Sequence, residues 1–227
     1  MWRVEKSVIP VNNISELKKI FGWQKSPVFD DPSLHHFEVI EDVNERRIRD
    51  AEVLGTVCCN VNSRNFLEIG TATGHATALM SINAPQATVY TLNILPEELL
   101  RGEGGGYNTY ALEKEKIGSY YREKNLKNIV QIYANTSTWK PDLKEVGVAF
   151  IDGCHDTKYV INDTLKALKC MSSGSFILWH DFHPALTRKY EWIYEVCLGV
   201  EKLLSKKIIK GRIFHVKDSW VGLYQIP

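Results

Sequence analysis

Four polar residues stand at the ends of two apolar runs. Asp152 and His155 follow Val146–Ile151, and His180 and Asp181 follow Phe176–Trp179. Carboxylates grouped with imidazoles can hold a divalent ion, oxygen-rich sets suiting Mg²⁺ or Mn²⁺ and added imidazole tilting toward softer metals. An ion held there orients a substrate hydroxyl and lowers its pKa, and a histidine titrating near neutrality can take the proton. The result is an oxygen nucleophile. The structural alternative is that Asp181 caps the following helix and His180 packs as a satisfied core side chain.

A second stretch offers a cradle. In Phe66-Leu67-Glu68-Ile69-Gly70-Thr71-Ala72-Thr73-Gly74, a short apolar run ends in a glycine turn that leads into a helical pattern near His75. Glycines let the backbone approach a ligand, and the free N–H groups at the helix start can face its polar parts. The spacing Glu68-x-Gly70-x-x-x-Gly74, with Ala72 where a middle glycine would stand, departs from the dinucleotide pattern G-x-G-x-x-G. With its acidic residue ahead of the first glycine, the stretch resembles motif I of class I S-adenosylmethionine (SAM)-dependent methyltransferases.

Strands and helices must alternate to place these residues. Helical patterns are expected over Ser15–Phe21 with Ser15 as cap, over residues 44–58 with Asn44 as cap, from His75 to Pro85, and over Thr109–Lys124, Tyr159–Met171 and Thr187–Leu204. Strands are expected at Phe66–Ile69, Thr88–Leu92, Ile129–Tyr133, Val146–Ile151 and Phe176–Trp179. Two more, Ile208–Val216 and Trp220–Ile226, are separated only by Lys217-Asp218-Ser219 and must pair antiparallel. The pattern predicts an α/β fold, a Rossmann-like doubly wound seven-stranded sheet, mostly parallel with an antiparallel C-terminal hairpin strand. Ligands of such sheets lie beyond the carboxyl ends of the strands, so Glu68, Gly70, Asn93, Asn135, Asp152, His155, His180 and Asp181 should converge. Residues 1–43, with His35 and His36, read as an N-terminal arm or lid, and residues 44–227 as one catalytic domain. The glycines at 102–106 read as a surface loop.

Composition limits the partners. Lys+Arg 28 against Asp+Glu 27 leaves a formal charge of +1, which gives no field to recruit nucleic acid or an anionic membrane and favours a small substrate. Cys58, Cys59, Cys154, Cys170 and Cys197 form no C-x-x-C pair and lie in or beside apolar patterns, so they read as reduced and buried. No apolar run approaches the ~18 residues of a membrane span, and the first residues lack a signal core, so a cytoplasmic protein is expected. Assembly into a homo-oligomer is left open.

The resemblance becomes specific further along. Ala149-Phe-Ile-Asp-Gly-Cys-His-Asp156, then Tyr159-Val160, Asp163, Leu168, Gly174 and Phe176-Ile-Leu-Trp-His-Asp181, look like the class I family that includes macrocin-type sugar O-methyltransferases and relatives of cephalosporin hydroxylase. With the glycine turn, the likeness spans residues 45–226. It implies SAM held by Glu68, Gly70, Thr71, Ala72, Thr73 and Gly74 together with Asn93, Asn135, Thr136 and Asp152. It also implies a divalent metal, Mg²⁺ expected, at Asp152 and Asp181 with His180 as a further candidate, and His155 as general base beside Asp152. The implied reaction is methylation of a hydroxyl of a small metabolite or sugar. Two departures stand out: Asn93 replaces the acidic residue that accepts both ribose hydroxyls, and Ala134-Asn135-Thr136 replaces an acidic turn. An amide keeps one acceptor but loses charge assistance, on the order of 1 kcal/mol per bond. A non-catalytic SAM-binding module, or another Rossmann-type enzyme, are the alternative readings.

Overall fold

Val146-Gly-Val-Ala-Phe-Ile151 carries no polar side chain and is buried along its whole length, as a strand must be when helices cover both faces of its sheet. The computed structural model describes residues 3–29, 49–100 and 111–227. The strands are β1 (Val8–Val11), β2 (Asn65–Ile69), β3 (Thr88–Asn93), β4 (Ile129–Tyr133), β5 (Val146–Ile151), β6 (Met171–Trp179), β7 (Ile213–Val216) and β8 (Gly222–Gln225). They form one sheet in the order β1-β7-β8-β6-β5-β2-β3-β4. The pairings β2·β3, β3·β4, β2·β5 and β5·β6 are parallel, and β8 runs antiparallel to both β6 and β7.

Successive side chains on a strand point to opposite faces. Phe176 and Leu178 of β6 join one core, while Ile177 and Trp179 join the other. The first core is closed by α2 (Ile14–Phe21), α3 (Asp50–Asn60) and α4 (His75–Asn83), the second by α1 (Arg3–Ser7), α7 (Thr157–Leu168) and α8 (Glu191–Ser205). The chain proceeds outward from β2 through β3 to β4, then returns to the other side of β2 with β5 and β6. The direction therefore reverses between β2 and β5, the place where such sheets open a crevice at the carboxyl ends of their strands.

Several expectations shift. The sheet has eight strands, because Val8–Val11, in the stretch read as arm or lid, pairs in parallel with β7. Pro10 obscures that strand in sequence, yet β1 is an edge strand, where a residue lacking an N–H is tolerated. Helix α2 is capped by Asn13, whose side chain accepts the Glu16 N–H at 2.9 Å, rather than by Ser15. The helix expected over 109–124 reduces, within the described residues, to α6 (Ser119–Glu123), because Gly118 takes a left-handed conformation just before it. Strand β6 begins at Met171 rather than Phe176, and the helix expected to run to Met171 ends at Leu168. The helix expected from Thr187 starts at Glu191, after a short 3₁₀ turn at Pro184–Leu186. The strand expected from Ile208 starts at Ile213. The Asn44 cap, His35, His36 and the glycines at 102–106 lie outside the described residues. No described helix is long and apolar enough to cross a membrane.

The end of β6 carries His180 and Asp181, and the fully buried Trp179 anchors it by donating from Nε1 to Thr164 Oγ1 of α7 at 2.9 Å. Trp179→Phe removes that bond and part of the packing, and is expected to lower unfolding free energy in urea by about 2 kcal/mol.

Candidate active site

Gly70 follows β2 with φ 105°, and a Cβ placed on it would fall 2.0 Å from the carbonyl oxygen of Asp152. No other residue fits between the ends of β2 and β5. Gly74 (φ 93°) opens α4, and a Cβ there would lie 2.6 Å from the Tyr121 ring. Between them Ala72 takes φ 45°, the conformation a glycine would adopt more cheaply. Its N–H donates to Asn93 Oδ1 at 3.0 Å and its carbonyl accepts from Gly118 N at 2.9 Å, while Thr73 O accepts from Tyr120 N at 3.0 Å. These bonds hold the strained turn between β3 and the segment at 118–120.

Beside the turn lies a cavity of about 220 Å³, lined by Gly70, Ala72, Asn93, Asn135, Thr136 and, at its far end, the stretch Asp152–His155. Tyr159 and Asp163 of α7 complete that end. The lining includes the carboxylates of Asp152 and Asp163 and, among the described residues, no lysine or arginine. Asn93 donates from Nδ2 to Ile94 O at 2.8 Å, and Asn135 Oδ1 accepts from the N–H and hydroxyl of Ser137. Both amides thus shape the walls as well as face the cavity.

Four of the expected cofactor residues do not line it. Glu68 is buried beneath the turn and accepts the hydroxyls of Thr77 and Thr91. The Thr71 hydroxyl pairs with that of Thr91 at 2.6 Å, and the Thr73 hydroxyl with His75 Nδ1 at 2.9 Å. Together with Gly74 these residues build the turn from below.

At the cavity's end the polar residues after β5 and β6 meet. His155 Nε2 stands 3.1 Å from Asp181 Oδ2 and 3.8 Å from Asp152 Oδ1, and this buried nitrogen makes no hydrogen bond. Ligating atoms of Asp152, His155 and Asp181 all lie within 4.8 Å of one another. Asp181 turns toward the cluster from a left-handed backbone position (φ 53°). His180 takes a different place from the one expected of a metal ligand. Its Nδ1 faces Asp152 Oδ1 at 2.9 Å and its Nε2 faces Asp50 Oδ2 at 3.2 Å, so both ring nitrogens are engaged by carboxylates, and His155 is the imidazole grouped with Asp152 and Asp181.

The charges sustain one another. Burial works against the charge of Asp152, yet His180 and His155 hold its carboxyl well below the usual range. Asp181 is lowered in the same way, against its own burial, chiefly by His180. Burial also opposes protonation of His155, but the carboxylates of Asp152 and Asp181 raise its proton affinity above that of an ordinary histidine. Burial pushes Asp163, which has no such partner pair, up to about 6.

Asp50, Asp163 and Tyr159 are site residues that the local reading of chemistry passed over. Asp163 had a signal: three and four residues from Val160 and Ala167, it lies on the buried face of α7, where a carboxylate needs a partner, and Asn162 Nδ2 donates to its Oδ1 at 2.9 Å. Asp50 had none, since it follows a charged run and its partners are 130 and 170 residues away. His183 packs edge-on against His215, with ring centroids 4.9 Å apart, away from the cluster's contacts. Of the five cysteines, all without disulfides, Cys154 alone is only partly buried, and it lines the cavity.

Comparison with known proteins agrees with this geometry. A family model described as a methyltransferase domain matches residues 67–182, from β2 to the residue after Asp181. An uncharacterized protein of Acanthamoeba polyphaga mimivirus is 24% identical over 163 residues, which span 70% of this chain and 67% of that protein. Among solved structures, the O-methyltransferase NovP superposes with a TM-score of 0.59 at 15% identity, over 79% of this chain and 80% of its own. The SAH-bound methyltransferase PaMTH1 of Podospora anserina does so with 0.58 at 16% identity, over 96% and 98%. At these identities the two structures speak for the fold, which is Rossmann-like.

Beneath the cavity, burial raises the Glu68 carboxyl from an ordinary 4.5 to about 8, more than its two threonine donors offset. The folded protein keeps this proton up to about pH 8, whereas the unfolded chain releases it near 4.5. The group's contribution to stability is therefore complete below pH 4.5 and is lost as pH rises to about 8. Glu68→Gln removes the titration. Its unfolding free energy should gain on that of the wild type across this interval and run parallel above it, and parallel curves throughout would contradict the assignment.

Proposed function

The chain belongs to the methyltransferase-domain family and is a SAM-dependent methyltransferase, and on that premise we propose that it methylates a hydroxyl of a small metabolite or sugar. The observation that carries this reading is the meeting of Asp152, His155 and Asp181 at the end of the cavity. Methyl transfer from a sulfonium is an in-line displacement whose leaving group is already activated, so the protein must align the acceptor and take its proton. His155, with proton affinity raised by two carboxylates, is the group suited to take it.

The cavity's charge fits the cofactor. Two carboxylates, with no lysine or arginine among the described lining residues, suit the sulfonium and ammonium of SAM. Gly70, Ala72, Asn93, Asn135, Thr136 and Asp152 are the residues placed to contact it.

The residues also fit a divalent ion. The carboxylates of Asp152 and Asp181, brought together at the end of the cavity, are a donor set that suits a cation, and oxygen ligands favour Mg²⁺ or Mn²⁺. Asp152 and Asp181 would hold it. When bound, such an ion supplies Lewis acidity that makes an acceptor hydroxyl more acidic. The chain itself contributes the carboxylates that orient the acceptor and the imidazole that receives its proton.

Transfer of labelled methyl from SAM across a panel of sugars and hydroxylated metabolites tests the acceptor class, and labelling confined to amines would overturn it. His155→Ala should lower turnover about 10²- to 10⁴-fold while S-adenosylhomocysteine (SAH) affinity, measured by calorimetry, stays unchanged. Full turnover by the variant would remove His155 from the mechanism. Chelation should abolish turnover and Mg²⁺ restore it, and undiminished rates after chelation would exclude the metal.

A further inference from the structure

Asp50, the first residue of α3, is 2% exposed and uses both oxygens of its carboxylate. Oδ1 accepts the Trp220 N–H at 2.6 Å, and Oδ2 stands 3.2 Å from His180 Nε2. The opposite ring nitrogen, His180 Nδ1, lies 2.9 Å from Asp152 Oδ1. An ionised carboxylate only accepts hydrogen bonds, so each contact calls for a ring N–H and the imidazole is clamped at both ends. The row Asp50–His180–Asp152 thus runs from α3 past the end of β6 to the end of β5. It delivers a hydrogen bond from the protein interior onto one oxygen of the carboxylate at the cavity.

The main chain of Asp152 is already fixed, its N–H donating to Ile69 O at 2.8 Å. With Oδ1 committed to His180, the side chain is fixed as well, and Oδ2 is the oxygen left for a ligand. A neutral packed histidine pairs one ring nitrogen with an acceptor and the other with a donor, whereas both nitrogens of His180 face carboxylates. Here the second partner comes from a residue 130 positions away, itself pinned to the residues before β8. Carboxylates that bind metal depend on such partners for their orientation, and removing an outer partner typically costs 10- to 100-fold in metal affinity or activity.

We propose that Asp50 is a positioning residue of the methyl-transfer site, fixing the Asp152 carboxylate through His180. This rests on the reading of Asp152 as part of the acceptor-activating centre. Nothing in the local sequence marks Asp50 for this role.

The test uses Mn²⁺ alone as probe, with affinity measured by calorimetry on the full chain for wild type, Asp152→Asn, Asp50→Asn, His180→Asn and the Asp50→Asn/His180→Asn double variant. Asp152→Asn should abolish binding, and Asp50→Asn should weaken it about 10- to 100-fold in a chain that circular dichroism shows to be folded. Because the Asp50 effect passes through the imidazole, the double variant should bind no more weakly than His180→Asn alone. Wild-type Mn²⁺ affinity in Asp50→Asn, with Asp152→Asn impaired, overturns the positioning role and leaves the activating centre standing. Wild-type affinity in Asp152→Asn, or no Mn²⁺ binding by the wild type, overturns the metal centre first and the role of Asp50 with it. Should Asp50→Asn fail to fold, ring-¹⁵N histidine spectra of the wild type decide the matter. Two hydrogen-bonded ring N–H signals for His180 support the row, and a single one overturns it.

Discussion

The contact between Gly70 and the Asp152 carbonyl is the constraint on which the site depends. Two neighbouring parallel strands end side by side at the switch point of the sheet, and their carboxyl ends are held so close that a side chain on the first would collide with the backbone of the second. That proximity joins two chemistries. The turn after β2 shapes one wall of a cavity, and the residues after β5 close its end. Cofactor methyl and acceptor atom need to meet in line, and a sheet whose strands pair in register fixes the distance between their two holders better than loops alone would.

Burial has opposite effects on two sets of carboxylates in this small volume. Glu68 has only hydroxyl donors, which do not compensate for lost hydration, so it holds its proton to about pH 8 and serves as a neutral strut beneath the turn. Asp181 is buried too, and Asp152 is buried in part, but both face two imidazoles and stay ionised below the usual range. The difference is the partner, not the depth. Each imidazole gains proton affinity from the same contacts, so the opposite charges hold one another in place.

Much of the fold was legible because periodicity and punctuation report local physics. The fully apolar run at Val146–Ile151, the helix stopped near Pro85 and the closing hairpin were all visible as such. The boundaries that moved did so where backbone conformation was decided elsewhere. Gly118 adopts a left-handed turn whose N–H reaches Ala72, and Val8–Val11 becomes a strand only because β7 offers it an edge. The convergence of Gly70, Asn93, Asn135, Asp152, His155 and Asp181 was likewise readable, since strand ends in a doubly wound sheet gather on one side.

The sequence by itself determined the class of fold, the glycine turn and the chemistry of the residues at the strand ends, because these follow from side-chain type and short-range spacing. The assignment of partners was decided by tertiary structure alone. Glu68 was drawn beneath the turn by Thr77 and Thr91, and His180 was held between Asp50 and Asp152. His155 came to stand beside Asp152 and Asp181. A hydrogen bond depends on a few tenths of an ångström and on direction, and no spacing along the chain encodes either for residues 130 positions apart.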